Sequence, residues 1–433
     1  MKHQFLLLSL LLSLCFTMGF SQSGPIGWAS VNANGQNGTT GGAGGTVITV
    51  STMTDLITYC SATDPYIIKI EGLITITPKG RFIEVNSNKT VMGVDAQSGI
   101  KEGGFRVGSN KKNVIFKNLN ITDTYLEGDW DGKEQDWDGI QIKGTCSHIW
   151  VDHCTVLRQG DGAIDITNGA SYVTVSNCII GQNNKASLIG SSDTDTYTES
   201  YKVTMHHNWF NATTQRNPRV RFGMVHLFNN YYYNMGGYGR EMGYATSNGY
   251  AIGVGVSAKV YSEKNYFEKV VYPVQFYDNT SLPGYILDNG SISVEGGSVS
   301  TRPDGIEWNP TDFYEYSLDD AETVKEYVMA NAGAKDNPTN AAPITPQNLA
   351  LDIKCYPNPF SDFTNVVFTL PSSGLATIRL FDIIGQDARV IAHAHFPQGK
   401  NEVKLTRGIL RPGIYIVQVE FQGSRISRRI IAQ

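Results

Sequence analysis

Charged side chains are scarce in this sequence: Asp, Glu, Lys and Arg make up only 17% of it, too few to coat the outer faces of a helical bundle. The 45 glycines and 22 tyrosines suit strands and tight turns instead, so helix should be minor. Long apolar runs are also missing. The one candidate, Phe5 to Phe16, follows Lys2 and His3 and precedes small or polar residues around Gly19 and Ser21; it is too short to span a bilayer and has the layout of a secretory signal over residues 1–21. A soluble protein outside the cytoplasm is expected, secreted or held at the cell surface, with no membrane span. Cysteines are few, and once Cys15 leaves with the signal they are odd in number: Cys60, Cys146, Cys154, Cys178 and Cys355. That excludes a disulfide-stapled scaffold but permits one bridge, best made by Cys154 and Cys178, or a stack of buried thiols. A basic excess is lacking too. The net charge of -5 argues against nucleic acid or an anionic membrane as the main partner, so a polyanionic ligand would have to meet a local cluster of cations.

What is present is an internal repeat. Short alternating segments beginning at Val114, Ile149, Val173, Val203, Val225 and Val260 superpose, with starts 35, 24, 30, 22 and 35 residues apart. This is a solenoid period with insertions, which fall in loops. Five residues beyond each start lie Leu119, Cys154, Cys178, Asn208, Asn230 and Asn265, so like follows like from coil to coil. Asparagines repeated in this way can hydrogen-bond their neighbours inside a bend. Hairpin turn signals are not supplied consistently, which disfavours a sandwich or propeller. The expected fold is all-β: a right-handed parallel β-helix over residues 24–332, a linker rich in Ala, Pro, Asn and Thr over 333–347, and a small antiparallel sandwich-like domain over 348–433 with strands at 365–370, 376–381, 413–421 and 425–431. A monomer is expected.

The repeat register brings chemistry together. Asp161, Lys185 and Arg216 follow the fourth residue of three successive strands by nine, nine and ten positions. With parallel strands roughly 4.8 Å apart, an acid, a lysine and an arginine should nearly stack along one groove. Asp136 and Asp138 flank Trp137, and in an extended segment both carboxylates face the same side; Asp161 and Asp165 repeat the arrangement on the next coil. Four neighbouring carboxylates repel unless a hard cation neutralises them, and oxygen-only ligands select calcium over zinc or copper. The bland alternative is a solvated acidic edge. His153, His206 and His207 lack the partners of a zinc site, and Asp152-His153 falls on a different stretch of coil from Asp161, which favours packing roles. No nucleophile elbow is present for a serine triad.

Taken in order, Gly27-Trp-Ala-Ser-Val, Gly38-Thr-Thr-Gly-Gly-Ala-Gly-Gly, Trp150-Val-Asp-His153, Asp161-Gly-Ala-Ile-Asp165, Lys185 and Arg216-Asn-Pro-Arg-Val-Arg221 resemble the polysaccharide lyase family that contains the pectate lyases, over about Gly27 to Glu268. The resemblance implies calcium-dependent β-elimination of polygalacturonate, with Asp138, Asp161 and Asp165 as metal ligands and Asp136 as a fourth. It also implies Arg216 as the base, Lys185 on the substrate carboxylate, and Arg221 holding that carboxylate. A guanidinium normally stays protonated, so a carboxylate clamp is the alternative role for Arg216 and a metal-bound hydroxide the alternative base. Rival readings are an inverting polygalacturonate hydrolase, a pectin lyase, which typically lacks the calcium acids, and a non-catalytic adhesin presenting Tyr231 to Tyr233. Within the last domain, Tyr356-Pro-Asn-Pro-Phe360, Gly413-Ile-Tyr415 and Arg428-Arg429 resemble the sorting domain of the type IX secretion system, whose machinery would be the partner; a carbohydrate-binding module is the alternative.

Overall fold

Strands of three to six residues, rich in Val and Ile and ended by residues that accept a left-handed backbone, cannot run far before turning, and here each turn starts a new wall of a coil. The structure, a computed structural model, describes residues 24–197, 201–246, 249–336 and 353–433, the last with breaks at 371–373, 383–386, 397–398, 409 and 422–423. The expected signal segment and residues 337–347 of the expected linker lie outside the described residues. Two compact units divide at Ala342 and Pro343.

The first unit is a right-handed parallel β-helix whose walls are sheets of ten, nine and eight strands. One coil shows the order: Ser147–Asp152 lies in the first sheet, Thr155–Leu157 in the second and Ile164–Thr167 in the third, before Ser171–Ser176 returns to the first. The repeat read from sequence is the register of the first sheet, where Val114, Ile149, Val173, Val203, Val225 and Val260 pair in succession. At the next corner Asn118, His153, Asn177, His207, Asn229 and Lys264 all take a left-handed backbone, with φ between 49° and 55°. Each such corner turns the following residue inward. Asn208 donates through Nδ2 to Asn230 Oδ1 at 3.0 Å, and Asn230 does the same to Asn265. Lower in the same column, Cys154 and Cys178 are stacked free thiols rather than a bridge, with the Cys154 amide 3.4 Å from Cys178 Sγ. Burial pushes the Cys178 thiol well up, so it stays protonated and inert.

Val, Ile, Leu and Phe from all three walls fill the interior. Tyr232 belongs to that interior, stacked between Phe210 and Phe267 at 4.9 and 4.6 Å, which removes it from any exposed sugar-binding row. Helix Met53–Ser61 buries Leu56 and Cys60 in the core, with Thr52 capping it by accepting the Asp55 N–H at 3.2 Å. Helix Ala321–Asn331 buries Val324 and Val328 against Tyr231. Gly333 to Asp336, placed in the linker by composition, are tied to the solenoid: the Gly333 amide donates to Asn177 O and the Lys335 amide to Asn118 Oδ1.

The second unit pairs a three-stranded with a four-stranded antiparallel sheet around Val366, Phe368, Ile378, Val417 and Val419. Four of its strands stand where alternation places them. Ile353–Tyr356, Asp387–Phe396 and Gly399–Thr406 were not read from sequence, because small, histidine or charged residues hide their alternation.

Candidate active site

The site grows from loops that leave the second sheet and enter the third. Trp137 sets the first of them. Its indole lies against Gly80, where a Cβ would sit 2.1 Å from the ring, so a glycine is required there. With Trp137 turned that way, the flanking carboxylates of Asp136 and Asp138 face the other, although residues 133–138 form no regular strand. Asp129 shapes the preceding turn by accepting the amides of Lys133 and Glu134 at 2.9 and 3.0 Å.

One oxygen from each of Asp136, Asp138 and Asp161 falls within 4.8 Å of the others. Asp138 is buried and fixed, accepting the Gly162 amide at 2.8 Å and the Gln141 side-chain amide at 2.9 Å. Asp165 stands beside this trio but outside the 4.8 Å set, and its Oδ1 accepts the Leu188 amide at 2.9 Å. Burial raises the Asp138 carboxyl well above its ordinary range, and the charges of Asp165, Asp136 and Asp161 push it further. Asp165 is pushed up to about 7 by burial and by Asp161, against the pull of Arg216. Asp161 is raised as well, chiefly by burial, although Lys185 and Arg216 pull it down. Carboxylates held this close need a proton or a cation between them, and an all-oxygen donor set of this charge suits a hard divalent ion such as calcium.

The cations lie alongside. Lys185 Nζ donates to Asp161 Oδ1 and to the Asp131 carbonyl, the latter at 2.5 Å. The backbone register pairs Gly162 with Lys185 and Lys185 with Gln215. Asp161 and Arg216 are therefore each one residue away from Lys185's own rung, a small displacement from the stacking expected by counting. Arg216 takes a left-handed backbone, φ 63°, which turns it out of the rung. Among the described residues its buried Nε has no hydrogen-bond partner. Arg221 is held by Asp193 Oδ1 and by the Gly190 carbonyl at 3.1 Å.

Counting did not find Arg219, whose guanidinium lies 4.5 Å from the centre of the Tyr277 ring; burial and then Arg221 lower its proton affinity. The motif named the residue, but only the fold brings Tyr277 to it. Asp152 and His153 lie at a corner of the first sheet, away from the third. His153 Nδ1 is 2.8 Å from Asp152 Oδ2, Lys117 is 3.5 Å from the same oxygen, and Ser176 Oγ donates to Oδ1. This is a buried packing network.

A family model described as pectate lyase matches residues 5–337. The chain belongs to the pectate lyase family. Among curated relatives of this pectate lyase family member, a pectate trisaccharide-lyase of Thermotoga maritima is 40% identical over 212 residues, 48% of this chain and 57% of that protein. The chain thus spans little more than half the length of that relative. Pectate lyase A of Dickeya chrysanthemi is 34% identical over 331 residues, 64% of this chain and 81% of that protein. Among solved structures, a pectate lyase from Bacillus sp. N165 in complex with trigalacturonate is 26% identical with a TM-score of 0.60, covering 72% of this chain and 99% of that one. A pectate lyase bound to a hexasaccharide is 25% identical, also with a TM-score of 0.60, covering 72% and 97%. Residues 354–433 match the secretion system C-terminal sorting domain, the type IX signal that directs a protein to the cell surface or the extracellular space. No described helix is long and apolar enough to cross a membrane.

Proposed function

We propose that this pectate lyase family member is a calcium-dependent enzyme that cleaves α-1,4-linked polygalacturonate by β-elimination, releasing 4,5-unsaturated oligogalacturonides. The observation that carries the reading is the juxtaposition of the Asp136, Asp138 and Asp161 cluster with Lys185 and with Arg216, whose Nε has no hydrogen-bond partner among the described residues. Asp136, Asp138 and Asp161 hold the ion, with Asp165 as a fourth carboxylate beside them. Calcium, when bound, neutralises the galacturonate carboxylate and so makes the neighbouring ring hydrogen more acidic.

Lys185 shifts from Asp161 onto the substrate carboxylate and offsets the charge that builds there as the proton leaves. Arg216 takes the proton from C5. The electron pair of that C–H bond becomes the C4–C5 double bond, the bond from C4 to the glycosidic oxygen breaks, and the departing oxygen is protonated by solvent. Arg221 keeps the carboxylate in place by exchanging its contact with Asp193. An inverting hydrolase fits less well, since its two acids stand roughly 6.5–9.5 Å apart to admit a water, whereas here the carboxylate oxygens lie within 4.8 Å. The test is to incubate the protein with polygalacturonate, with calcium or with chelator, and follow ultraviolet absorbance. Elimination gives a calcium-dependent rise; new reducing ends without absorbance would replace the reading with hydrolysis.

A further inference from the structure

Four strands of the third sheet carry one outward rank of side chains that ends among the acids. Ile83, Phe105, Ile140 and Ile164 fill the core, so the next residue on each strand turns out: Glu84, Arg106, Gln141 and Asp165, which the register pairs in succession. The first three are joined by their side chains. Arg106 Nη1 donates to Glu84 Oε1 at 3.0 Å, Arg106 Nε donates to Gln141 Oε1 at 2.7 Å, and Gln141 Nε2 donates to Asp138 Oδ2 at 2.9 Å. The guanidinium also lies 4.0 Å from the centre of the Phe82 ring, which sets its plane. Gln141 is 4% exposed and has little water to turn to.

Arg106 fixes the direction of this chain of bonds. A guanidinium can only donate, so the end of the Gln141 amide that meets it is the oxygen, and the NH2 end is left facing Asp138. The orientation matters. An amide turned the other way would set a carbonyl oxygen against the Asp138 carboxylate and push it out of place. Turned as it is, Gln141 and the Gly162 amide each engage one Asp138 oxygen and hold the carboxylate still, with lone pairs left for an ion. The strand Gly103–Val107 that carries Arg106 fixes the neighbouring backbone as well. The Phe105 amide donates to the Gly139 carbonyl at 2.9 Å, and a Cβ at Gly104 would stand 2.2 Å from the Asp138 carbonyl.

We propose that Arg106 is a positioning residue which, through Gln141, presents the Asp138 carboxylate to the calcium ion and raises the affinity of the site for it. The inference rests on the calcium reading above and deepens it by adding two residues that do not touch the ion. A relay and plain electrostatics predict opposite signs. Arg106 is a cation close to a cation site, so charge alone says that its removal tightens calcium binding. The relay says that its removal weakens binding, as losing an outer partner of a metal ligand does.

The test titrates calcium by calorimetry into the full chain, freed of metal with a chelator, for the wild type, Arg106→Met, Gln141→Met and the double variant. Methionine keeps much of the reach of either side chain and removes its polar end. Arg106→Met should weaken calcium binding about tenfold and Gln141→Met by as much or more. The double variant should bind no more weakly than Gln141→Met, because Arg106 acts through the amide alone. Rates on polygalacturonate should fall at limiting calcium and regain most of the difference at saturating calcium, which a general loss of structure would not allow. Tighter or unchanged binding in Arg106→Met, or losses that add in the double variant, overturns the inference. Should Gln141→Met not fold by circular dichroism, the sign of the Arg106→Met shift decides by itself. A wild type that takes up no calcium removes the calcium reading and the relay together, whereas equal affinity in all four proteins removes the relay alone.

Discussion

Lys185 and Asp161 are joined across neighbouring coils, the ammonium of one against the carboxylate of the other, with the Asp131 carbonyl completing the grip. In the proposed mechanism the lysine thus stands between the carboxylates that would hold the ion and the substrate carboxylate. Lys185→Ala should lower kcat about a hundredfold or more, in line with losing a group that meets developing charge. It should not weaken calcium binding, because Asp161 loses a competing cation. Calcium titration by calorimetry beside steady-state rates separates the two, and a parallel loss of calcium affinity would assign Lys185 to the ion instead. Arg216→Ala should remove most turnover with the circular dichroism spectrum unchanged; retained turnover would exclude it from the chemistry.

Gly162 occupies a position where a Cβ would come within 2.3 Å of Asp165 Oδ1. Gly162→Ala should therefore displace that carboxylate and raise the calcium concentration needed for half-maximal activity about tenfold. The same variant assayed at saturating calcium should recover much of its rate. If the half-maximal concentration does not move, Asp165 plays no part in holding the ion.

Asp152 gives a contrasting prediction. Burial alone would raise its carboxyl, yet His153, Lys117 and Asn177 together hold it well below the ordinary value. A folded-state value below the unfolded one gives stability that is present above the unfolded pKa of about 4 and is lost as pH falls beneath it. The wild type should destabilise as pH drops below about 4. Asp152→Asn should be less stable at neutral pH by about 3 kcal/mol and show a shallower acid limb in thermal melts. Its specific activity when folded should match the wild type, since the residue lies in a different wall from the site.

The asparagine column carries a further expectation. Asn230 accepts both the amide and the side chain of Asn208 and donates to the Met205 carbonyl. Asn230→Ala leaves those buried groups unpaired and should cost about 3 kcal/mol, read as a lowered midpoint in urea. Asn230→Asp keeps the acceptor but not the donor and should fall between.

Much of this architecture was legible because each coil presents the same face pattern. The valines of the first sheet and the Leu-Cys-Cys-Asn-Asn-Asn column sit at fixed offsets from strand starts, and a parallel ladder turns equal offsets into contacts. The offsets lose accuracy where coils differ in their loops. Lys185 and Arg216 therefore stand one residue apart in register, and Asp136 and Asp138 face the groove through the seat of Trp137 on Gly80 rather than through a strand. Arg219 was named in a motif but given no task, since its partner Tyr277 comes from a much later coil. Alternation failed in Asp387–Phe396, where alanine and histidine stand at positions that strands usually give to larger apolar groups.

The seat of Trp137 on Gly80 has a consequence for how the protein comes into being. A solenoid can add one coil at a time, each resting only on its neighbour, yet here a side chain from the loop before Ile140–Lys143 is anchored two rungs back, beside Arg81–Glu84, and the groove is finished only when the segment carrying Arg216 and Arg221 arrives. Shortened chains that end before that segment would stack into sound coils and still do no chemistry, so catalytic competence should appear abruptly with chain length while secondary structure grows smoothly.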